Sequence, residues 1–201
     1  MKRASNPFPK VPEEPEEARV YHESASKRGR RIGRNFVSQL KGRGFEGGSV
    51  LDAGCGAGEV LIEIARAFPR AELVGLDLSE PLLEIARRQT EEAGLSKRLT
   101  FKRGDVEAMP FENDSFDLVI SVNTLHVVDD PVAMMNEAER VLRPDGALVL
   151  TCIRRSWLGL FMPILKMGYT VEEVKKILGR SKLRPWKLRD YLLWFVVEAT
   201  G

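Results

Sequence analysis

Three glycines at alternate positions follow a short apolar segment and can bring the backbone close to a ligand. The stretch runs Val50-Leu51-Asp52-Ala53-Gly54-Cys55-Gly56-Ala57-Gly58, and the apolar spacing of the next ten residues predicts a helix. Glycine lacks a Cβ atom, so it adopts positive φ without a clash and lets a ligand approach the main chain. Strand, glycine turn and helix in this order are typical of a ligand site at a helix N-terminus.

The spacing of these glycines argues against a dinucleotide site. A dinucleotide-binding turn needs G-x-G-x-x-G, and its last glycine would fall at Glu59. The observed pattern is G-x-G-x-G, which disfavours an NAD-dependent oxidoreductase. A tight turn that binds no ligand is the alternative interpretation.

Two acids follow the next two predicted strands. The strand 72–77 ends at Asp77, about 20 residues beyond the glycine turn, where a nucleoside-binding α/β unit places a carboxylate for the ribose hydroxyls. Asp105 follows the predicted strand Leu99–Arg103 and one glycine. Asp77 could instead cap the next helix, although Ser79 suits that position better, and Asp105 could be an ordinary turn residue.

Together these motifs resemble those of class I S-adenosylmethionine-dependent methyltransferases. The resemblance covers about residues 49–153, with its landmarks in order, and includes the run RVLRPDGALVL at 140–150. After the fourth predicted strand, 116–121, the chain reads Asn123-Thr124-Leu125-His126. Small-molecule members, such as the quinone-biosynthesis methyltransferases, often carry this L-H pair. Nucleic-acid and glutamine methyltransferases typically show N-P-P-Y or D-P-P-Y instead.

The resemblance implies a fold, a cofactor and a set of binding residues. The implied fold is Rossmann-like α/β, with a seven-stranded, mainly parallel sheet whose last strand is antiparallel and with helices on both faces. The implied cofactor is S-adenosylmethionine, with Asp105 and the Val106 N–H at the adenine and Leu78 against an adenine face. The cofactor-binding residues that we predict are Asp52, Gly54, Cys55, Gly56, Gly58, Asp77, Leu78, Asp105, Val106, Ser121 and Asn123.

His126 is the catalytic candidate. It is the histidine expected near the ligand crevice, and an imidazole can act as a general base near neutral pH. Methyl transfer from a sulfonium mainly needs in-line placement of the acceptor, so a histidine that only orients a loop is the alternative.

Composition limits the other possibilities. The 201 residues carry a net charge of +2, which is too small to require nucleic acid as a partner. Two cysteines, Cys55 and Cys152, offer neither a disulfide framework nor metal-ligand spacing, so we expect no metal and a reducing compartment. The start lacks the apolar core of a signal peptide, and no run of about 18 apolar residues exists. We therefore expect a cytoplasmic protein without a membrane span.

The chain is expected to form one domain preceded by an arm. Residues 1–17, rich in proline and glutamate, are expected to be a flexible arm, and residues 18–201 the methyltransferase domain. Within the domain we expect a helical region at 18–48, a cofactor-binding core at 49–153, and a segment at 154–201 with a lid and two final strands. The lid candidate is the apolar segment Trp157–Met167, whose residues could equally be core.

The function predicted from the sequence is methyl transfer from S-adenosylmethionine to a small organic acceptor that is hydrophobic or anionic. One alternative is an RNA or protein methyltransferase that uses the basic segments of the chain. An alternative from another class is a catalytically silent S-adenosylmethionine-binding module. The sequence leaves open the acceptor, the atom methylated and the oligomeric state.

Overall fold

The computed structural model describes residues 11–160, 162–183 and 185–200. They form two compact units, one of residues 11–105 and one of the described residues from 106 onward. The first ten residues of the expected arm lie outside the described residues. The expectation of a single domain from residue 18 stays a prediction.

The first unit consists of three helices and three parallel strands. Its elements are α1 (Pro15–Gly42), β1 (Gly47–Ala53), α2 (Glu59–Ala67), β2 (Arg70–Asp77), α3 (Glu80–Glu92) and β3 (Leu99–Arg103). The middle strand, β2, pairs in parallel with both β1 and β3. The carboxyl ends of the three strands therefore lie at one edge of this part of the sheet.

Helix α1 begins three residues earlier than expected, at Pro15. A proline in the first turn costs no intrahelical hydrogen bond, and Glu16 and Glu17 lie at the positive end of the helix dipole. Just before the helix, Pro12 is buried, and its carbonyl accepts a hydrogen bond from the Ser79 hydroxyl. The helix therefore includes residues that composition alone assigns to the arm.

Two glycines let α1 lie close to α2. A Cβ atom added to Gly33 would be 2.9 Å from Glu63 Cβ, and one added to Gly29 would be 3.0 Å from Glu59 Cβ. Phe36 and Leu40, further along α1, are buried. This close packing brings the first half of α1 to the start of α2.

The second unit contains two helices and four strands. Its elements are β4 (Phe116–Val122), α4 (Pro131–Val141), β5 (Leu142–Ile153), two short 3₁₀ helices (Trp157–Leu160 and Pro163–Lys166), α5 (Val171–Arg180), β6 (Trp186–Asp190) and β7 (Trp194–Thr200). The strands β4 and β5 pair in parallel, whereas β7 runs antiparallel to both β5 and β6. The lid candidate thus forms two short 3₁₀ helices.

The predicted fold class is confirmed. The seven strands follow the order β3-β2-β1-β4-β5-β7-β6, and β7 is the antiparallel strand. One detail differs: the residue types of Arg143-Pro144-Asp145-Gly146 predict a turn after α4, but this stretch forms a bulge inside β5. The β4–β5 register passes from Phe116↔Leu142 to Leu118↔Ala147, so β5 carries the extra residues without ending.

The described residues hold neither a candidate membrane-spanning helix nor a candidate metal site. No helix among them is both long enough and apolar enough to cross a bilayer. They also hold no group of three or more His, Cys, Asp or Glu side chains placed to bind a metal ion.

Candidate functional site

The glycine turn after β1 is folded against the end of β2. Gly54, Gly56 and Gly58 have φ values of +84°, +53° and +80°, a region that other residues rarely adopt. The N–H groups of Gly54 and Cys55 donate to the Leu76 carbonyl oxygen at 2.8 and 3.0 Å. The alternation of glycines seen in the sequence thus has a conformational cause.

These glycines have different surroundings. A Cβ atom added to Gly56 would meet no atom within 4 Å, whereas one added to Gly58 would lie 3.0 Å from the Phe101 ring and 3.2 Å from Ala86 Cβ. Gly58 therefore serves packing, while Gly56 borders open space. Cys55 is buried, and its Sγ atom would lie 2.7 Å from a Cβ added to Gly75, so the thiol fills the interior of this unit.

Asp77 links the glycine turn to the start of α3. Its Oδ2 accepts from the Gly56 N–H at 2.8 Å, and its Oδ1 accepts from the Ser79 N–H at 3.0 Å. Burial raises the pKa of this carboxyl, while the N–H groups of Ser79, Gly56 and Leu78 lower it in part. Each oxygen keeps acceptor capacity for a further donor, such as a ligand hydroxyl. The alternative role of helix cap belongs to Ser79, whose hydroxyl accepts from the Leu82 N–H at 3.3 Å.

Asp52 is a buried acid without a compensating partner. Only 1% of its surface is exposed, and its Oδ1 has no hydrogen-bond partner within the part of the chain that the structure describes. Burial, together with the nearby carboxylates of Asp77 and Glu59, raises the pKa of Asp52 to about 8. A ligand that carries a positive charge would stabilise its ionised form.

Asp105 lies at the same strand edge as Asp77. In the β2–β3 pair Asp77 is opposite Arg103, and the Gly104 N–H donates to the Asp77 carbonyl oxygen at 3.0 Å. Asp105 is the next residue along the chain, and Leu78, next to Asp77, is 41% exposed. The first unit therefore brings together the glycine turn and the acids that follow β2 and β3.

Three residues near the turn were missed by sequence reasoning. Glu59, noted only as the position of an absent glycine, is a buried acid at the start of α2, and its Oε1 lies 2.7 Å from His22 Nδ1. Neither atom has a hydrogen-bond partner among the described residues, so the contact is an ion pair when His22 is protonated. Burial of the Tyr21 hydroxyl and the nearby carboxylates of Asp77 and Glu59 raise the pKa of Tyr21. The helical spacing of α1 carried no signal of which helix it packs against.

In the second unit, the polar residues that follow β4 are held by β5. Asn123 has a φ of +58°, its N–H donates to the Thr151 carbonyl oxygen at 2.8 Å, and its Oδ1 accepts from the Ile153 N–H at 3.1 Å. His126 Nδ1 lies 3.3 Å from the Sγ atom of buried Cys152. Ser121 and Val106 are also buried. Their predicted roles in binding the cofactor stay predictions.

Two relatives with assigned functions align with most of this chain. A demethylmenaquinone methyltransferase of Lactococcus lactis is 35% identical over 147 residues, which cover 72% of this chain and 56% of the relative. A ubiquinone biosynthesis O-methyltransferase of Actinobacillus pleuropneumoniae is 30% identical over 158 residues, which cover 74% of this chain and 67% of the relative. The chain thus spans about half to two thirds of the length of these relatives.

A solved structure and a family model extend the comparison. The crystal structure of a putative S-adenosylmethionine-dependent methyltransferase from Methanococcus maripaludis matches 100% of this chain and 97% of its own, with a TM-score of 0.78 and 20% identity. That likeness is one of fold. The model of a methyltransferase domain matches residues 45–182, more than half of the sequence. The chain therefore belongs to the methyltransferase domain family.

Proposed function

We propose that this chain binds S-adenosylmethionine and transfers its methyl group to a small organic acceptor. The observation that carries the proposal is the bond from the Gly56 N–H to Asp77 Oδ2, which joins an open glycine turn to an acid able to bind a diol. Membership of the family adds support, because methyltransferases share this fold and the relatives are named for methyl transfer.

The residues present fit this cofactor better than a dinucleotide. S-adenosylmethionine carries two positive charges, on its amino group and its sulfur, and the uncompensated buried Asp52 suits a cationic ligand. A pyrophosphate at the start of α2 would meet the buried carboxylate of Glu59, the first residue of that helix. The site therefore favours a ligand without phosphate.

Each part of the first unit would have a separate role in binding. Asp77 would accept hydrogen bonds from both ribose hydroxyls, the backbone at Gly56 would leave room for the methionyl part, and Asp105 would meet the adenine. When bound, S-adenosylmethionine supplies an electrophilic methyl group on a positively charged sulfur. The residues of the chain need only hold the two substrates and take up the proton of the acceptor.

His126 is the residue that we propose for this proton. If its Nδ1–H donates to Cys152 Sγ, the lone pair of Nε2 is left to accept a proton from an acceptor hydroxyl. Cys152 is fully buried in β5, so the contact would also fix the orientation of the ring. His126 would then act as the general base.

The acceptor class that we propose is a hydroxylated aromatic compound of the quinone type. Support comes from two relatives whose names concern menaquinone and ubiquinone biosynthesis. Such a compound has a hydroxyl group whose deprotonation makes that oxygen, or the ring carbon next to it, nucleophilic. A general base with a pKa near neutral suits that step.

Binding of S-adenosylhomocysteine, measured by calorimetry, tests the cofactor assignment. Asp77→Asn should weaken binding by about 10- to 100-fold, because a charge-assisted pair of hydrogen bonds is lost. Gly56→Ala should also weaken binding, whereas Gly94→Ala should not. Gly94 is a matched control, since its φ is +69° and an added Cβ would likewise meet no atom within 4 Å. Equal affinity in the wild type, Asp77→Asn and Gly56→Ala would refute the assignment.

A second assay tests the acceptor. Labelled S-adenosylmethionine should transfer its methyl group to demethylated quinols, the reduced form of the quinones, and to related phenols, with little dependence on salt. Turnover that occurs on RNA and falls steeply with added salt would favour the nucleic-acid alternative. Tight cofactor binding without transfer to any acceptor would favour the silent binding module.

A further inference from the structure

Exposed apolar side chains are concentrated near the end of the chain. Nine large hydrophobic side chains are exposed among the described residues, and six of them lie beyond residue 156. These six are Trp157, Met162, Ile164, Tyr191, Leu192 and Trp194. Two of them are tryptophans, which bury a large area when they find a partner.

Three of these side chains lie at the tip of the β6–β7 hairpin. Tyr191 and Trp194 stack with ring centroids 5.3 Å apart and an interplanar angle of 23°, and Leu192 between them is 64% exposed. The pairs Lys187↔Glu198 and Arg189↔Val196 alternate with pairs that face inward, such as Leu188↔Val197. Because the Tyr191 N–H donates to the Trp194 carbonyl oxygen, these two residues continue the outer row. We call the side chains of Lys187, Arg189, Tyr191, Leu192 and Trp194 the hairpin face.

The segment that leads to Trp157 begins beside this tip. The Arg154 N–H donates to the Leu193 carbonyl oxygen at 2.8 Å, and its guanidinium donates to the Tyr191 carbonyl oxygen at 2.9 Å. Arg154 also pairs with Asp190 at 3.3 Å. Trp157, three residues further on, is 67% exposed. The exposed aromatic groups of the two segments therefore belong to neighbouring parts of one unit.

Positive charge accompanies these apolar groups. Residues 154–200 contain ten lysines and arginines and four acids, a net charge of +6, in a chain whose net charge is +2. The rest of the chain is therefore net negative, at −4. The hairpin face itself presents Lys187 and Arg189, and Glu198, which lies opposite Lys187 in the β6–β7 pair, forms an ion pair with Arg189.

A charged edge strand explains part of this surface. The strand β6 ends the sheet order, and exposed Lys and Arg side chains on an edge strand prevent pairing with other chains. That requirement accounts for Lys187 and Arg189 but not for exposed Tyr191, Leu192 and Trp194. Aromatic and aliphatic side chains next to cations need a partner that is both apolar and negatively charged.

We propose that the hairpin face docks on the surface of a bilayer that contains anionic lipids. Tyr and Trp favour the headgroup level, where one end of the side chain is apolar and the other polar, and Leu192 at the tip would reach the acyl boundary. Lys187 and Arg189 would lie against the negative headgroups. This docking involves neither the cofactor nor the acceptor, so it stands apart from the proposed function.

Cosedimentation of the full chain with vesicles tests this proposal. We expect binding to vesicles of phosphatidylcholine with phosphatidylglycerol, weakened by salt, and much less binding to phosphatidylcholine alone. Leu192→Asp should weaken the binding by about tenfold or more, because it removes an apolar anchor and adds a negative charge. Val20→Asp is the matched control, since Val20 is also an exposed aliphatic residue but lies on α1. It should leave binding unchanged.

Three outcomes would overturn the proposal. One is no binding to the anionic vesicles at low salt. Another is an equal loss of binding in Leu192→Asp and Val20→Asp, which would mean that the hairpin is not the contact. The third is a wild-type dimer that Leu192→Asp converts to a monomer in sedimentation equilibrium, with no vesicle binding, since the face would then join two copies of the chain.

Discussion

The two units hold the polar residues at their strand ends in different ways. After β1 and β2, Asp77 is fixed by backbone N–H groups of its own unit, and Gly56 beside it borders open space. After β4, Asn123 and His126 are fixed by a backbone N–H and a thiol of the neighbouring strand β5. The first arrangement leaves acceptor capacity for a ligand, whereas the second uses side chains to join two strands.

This difference separates two aspects of the proposed reaction. Residues of the first unit should determine how tightly the methyl donor binds. His126, which follows β4, should instead affect the rate of transfer once the donor is bound. Variants in the two units can therefore be compared by a split between affinity and turnover.

The largest expected effect is on turnover in His126→Ala. Loss of a general base lowers kcat by about 10²- to 10⁴-fold, while the affinity for S-adenosylhomocysteine should stay as in the wild type. His22→Ala is the matched control, because His22 is in the first unit, 2.7 Å from Glu59 Oε1. At saturating donor it should change kcat far less than His126→Ala does. Steady-state kinetics and calorimetry measure the two quantities.

The same comparison can fail in two ways. A normal kcat in His126→Ala would remove this residue from the catalytic set and favour a role in orienting its loop. An equal loss of donor affinity and turnover would place His126 with the donor-binding residues instead.

A smaller effect is expected on stability in Gly58→Ala. The left-handed φ costs about 1–2 kcal/mol, and contact with the Phe101 ring and Ala86 adds about 1–3 kcal/mol. Gly94→Ala has the same backbone strain but open space at the Cβ position, so it should cost only the first amount. Urea unfolding measures both variants. Equal losses would show that the packing around Gly58 adjusts to the extra methyl group.

The last expected effect is a change in the pH dependence of stability in Asp52→Asn. The folded pKa of Asp52 is about 8, above its ordinary value of 3.8, so the folded chain holds a proton that the unfolded chain releases between these pH values. The contribution of Asp52 to the free energy of unfolding is therefore fully present below about pH 4 and is lost as the pH rises towards 8. Asp52→Asn should therefore raise the free energy of unfolding more at pH 8.5 than at pH 5. Asp145→Asn, at an exposed position, should change neither value.

Features that depend on neighbours along the chain were predicted well. The strand Leu99–Arg103 has the predicted bounds. The stretch Thr170-Val171-Glu172-Glu173 has the residue pattern that predicts a capping box, and Thr170 and Glu173 form one at the start of α5. Ser79 caps α3 as expected. In each case a few adjacent residues determine the geometry, so the sequence contains the signal.

Features that depend on distant contacts were not predicted. The contact between His22 and Glu59 requires α1 to pack on α2 through Gly29 and Gly33, and helical spacing does not specify the partner helix. The link between Asn123 and Ile153 requires the β4–β5 register, which the bulge at 143–146 shifts. Even so, the resemblance placed Asp77 and Asp105 at one edge of the sheet. The strands β2 and β3 are parallel neighbours, so their carboxyl ends lie at the same edge.

The Ser79 hydroxyl makes two connections at once. It accepts from the Leu82 N–H at the start of α3 and donates to the Pro12 carbonyl oxygen just ahead of α1. Two residues earlier in the chain, Asp77 accepts a hydrogen bond from the Ser79 N–H. A ligand that holds Asp77 in place should therefore also stabilise the chain around Pro12, because the two are connected through Ser79. We expect such binding to slow deuterium uptake by the amides at the beginning of α1.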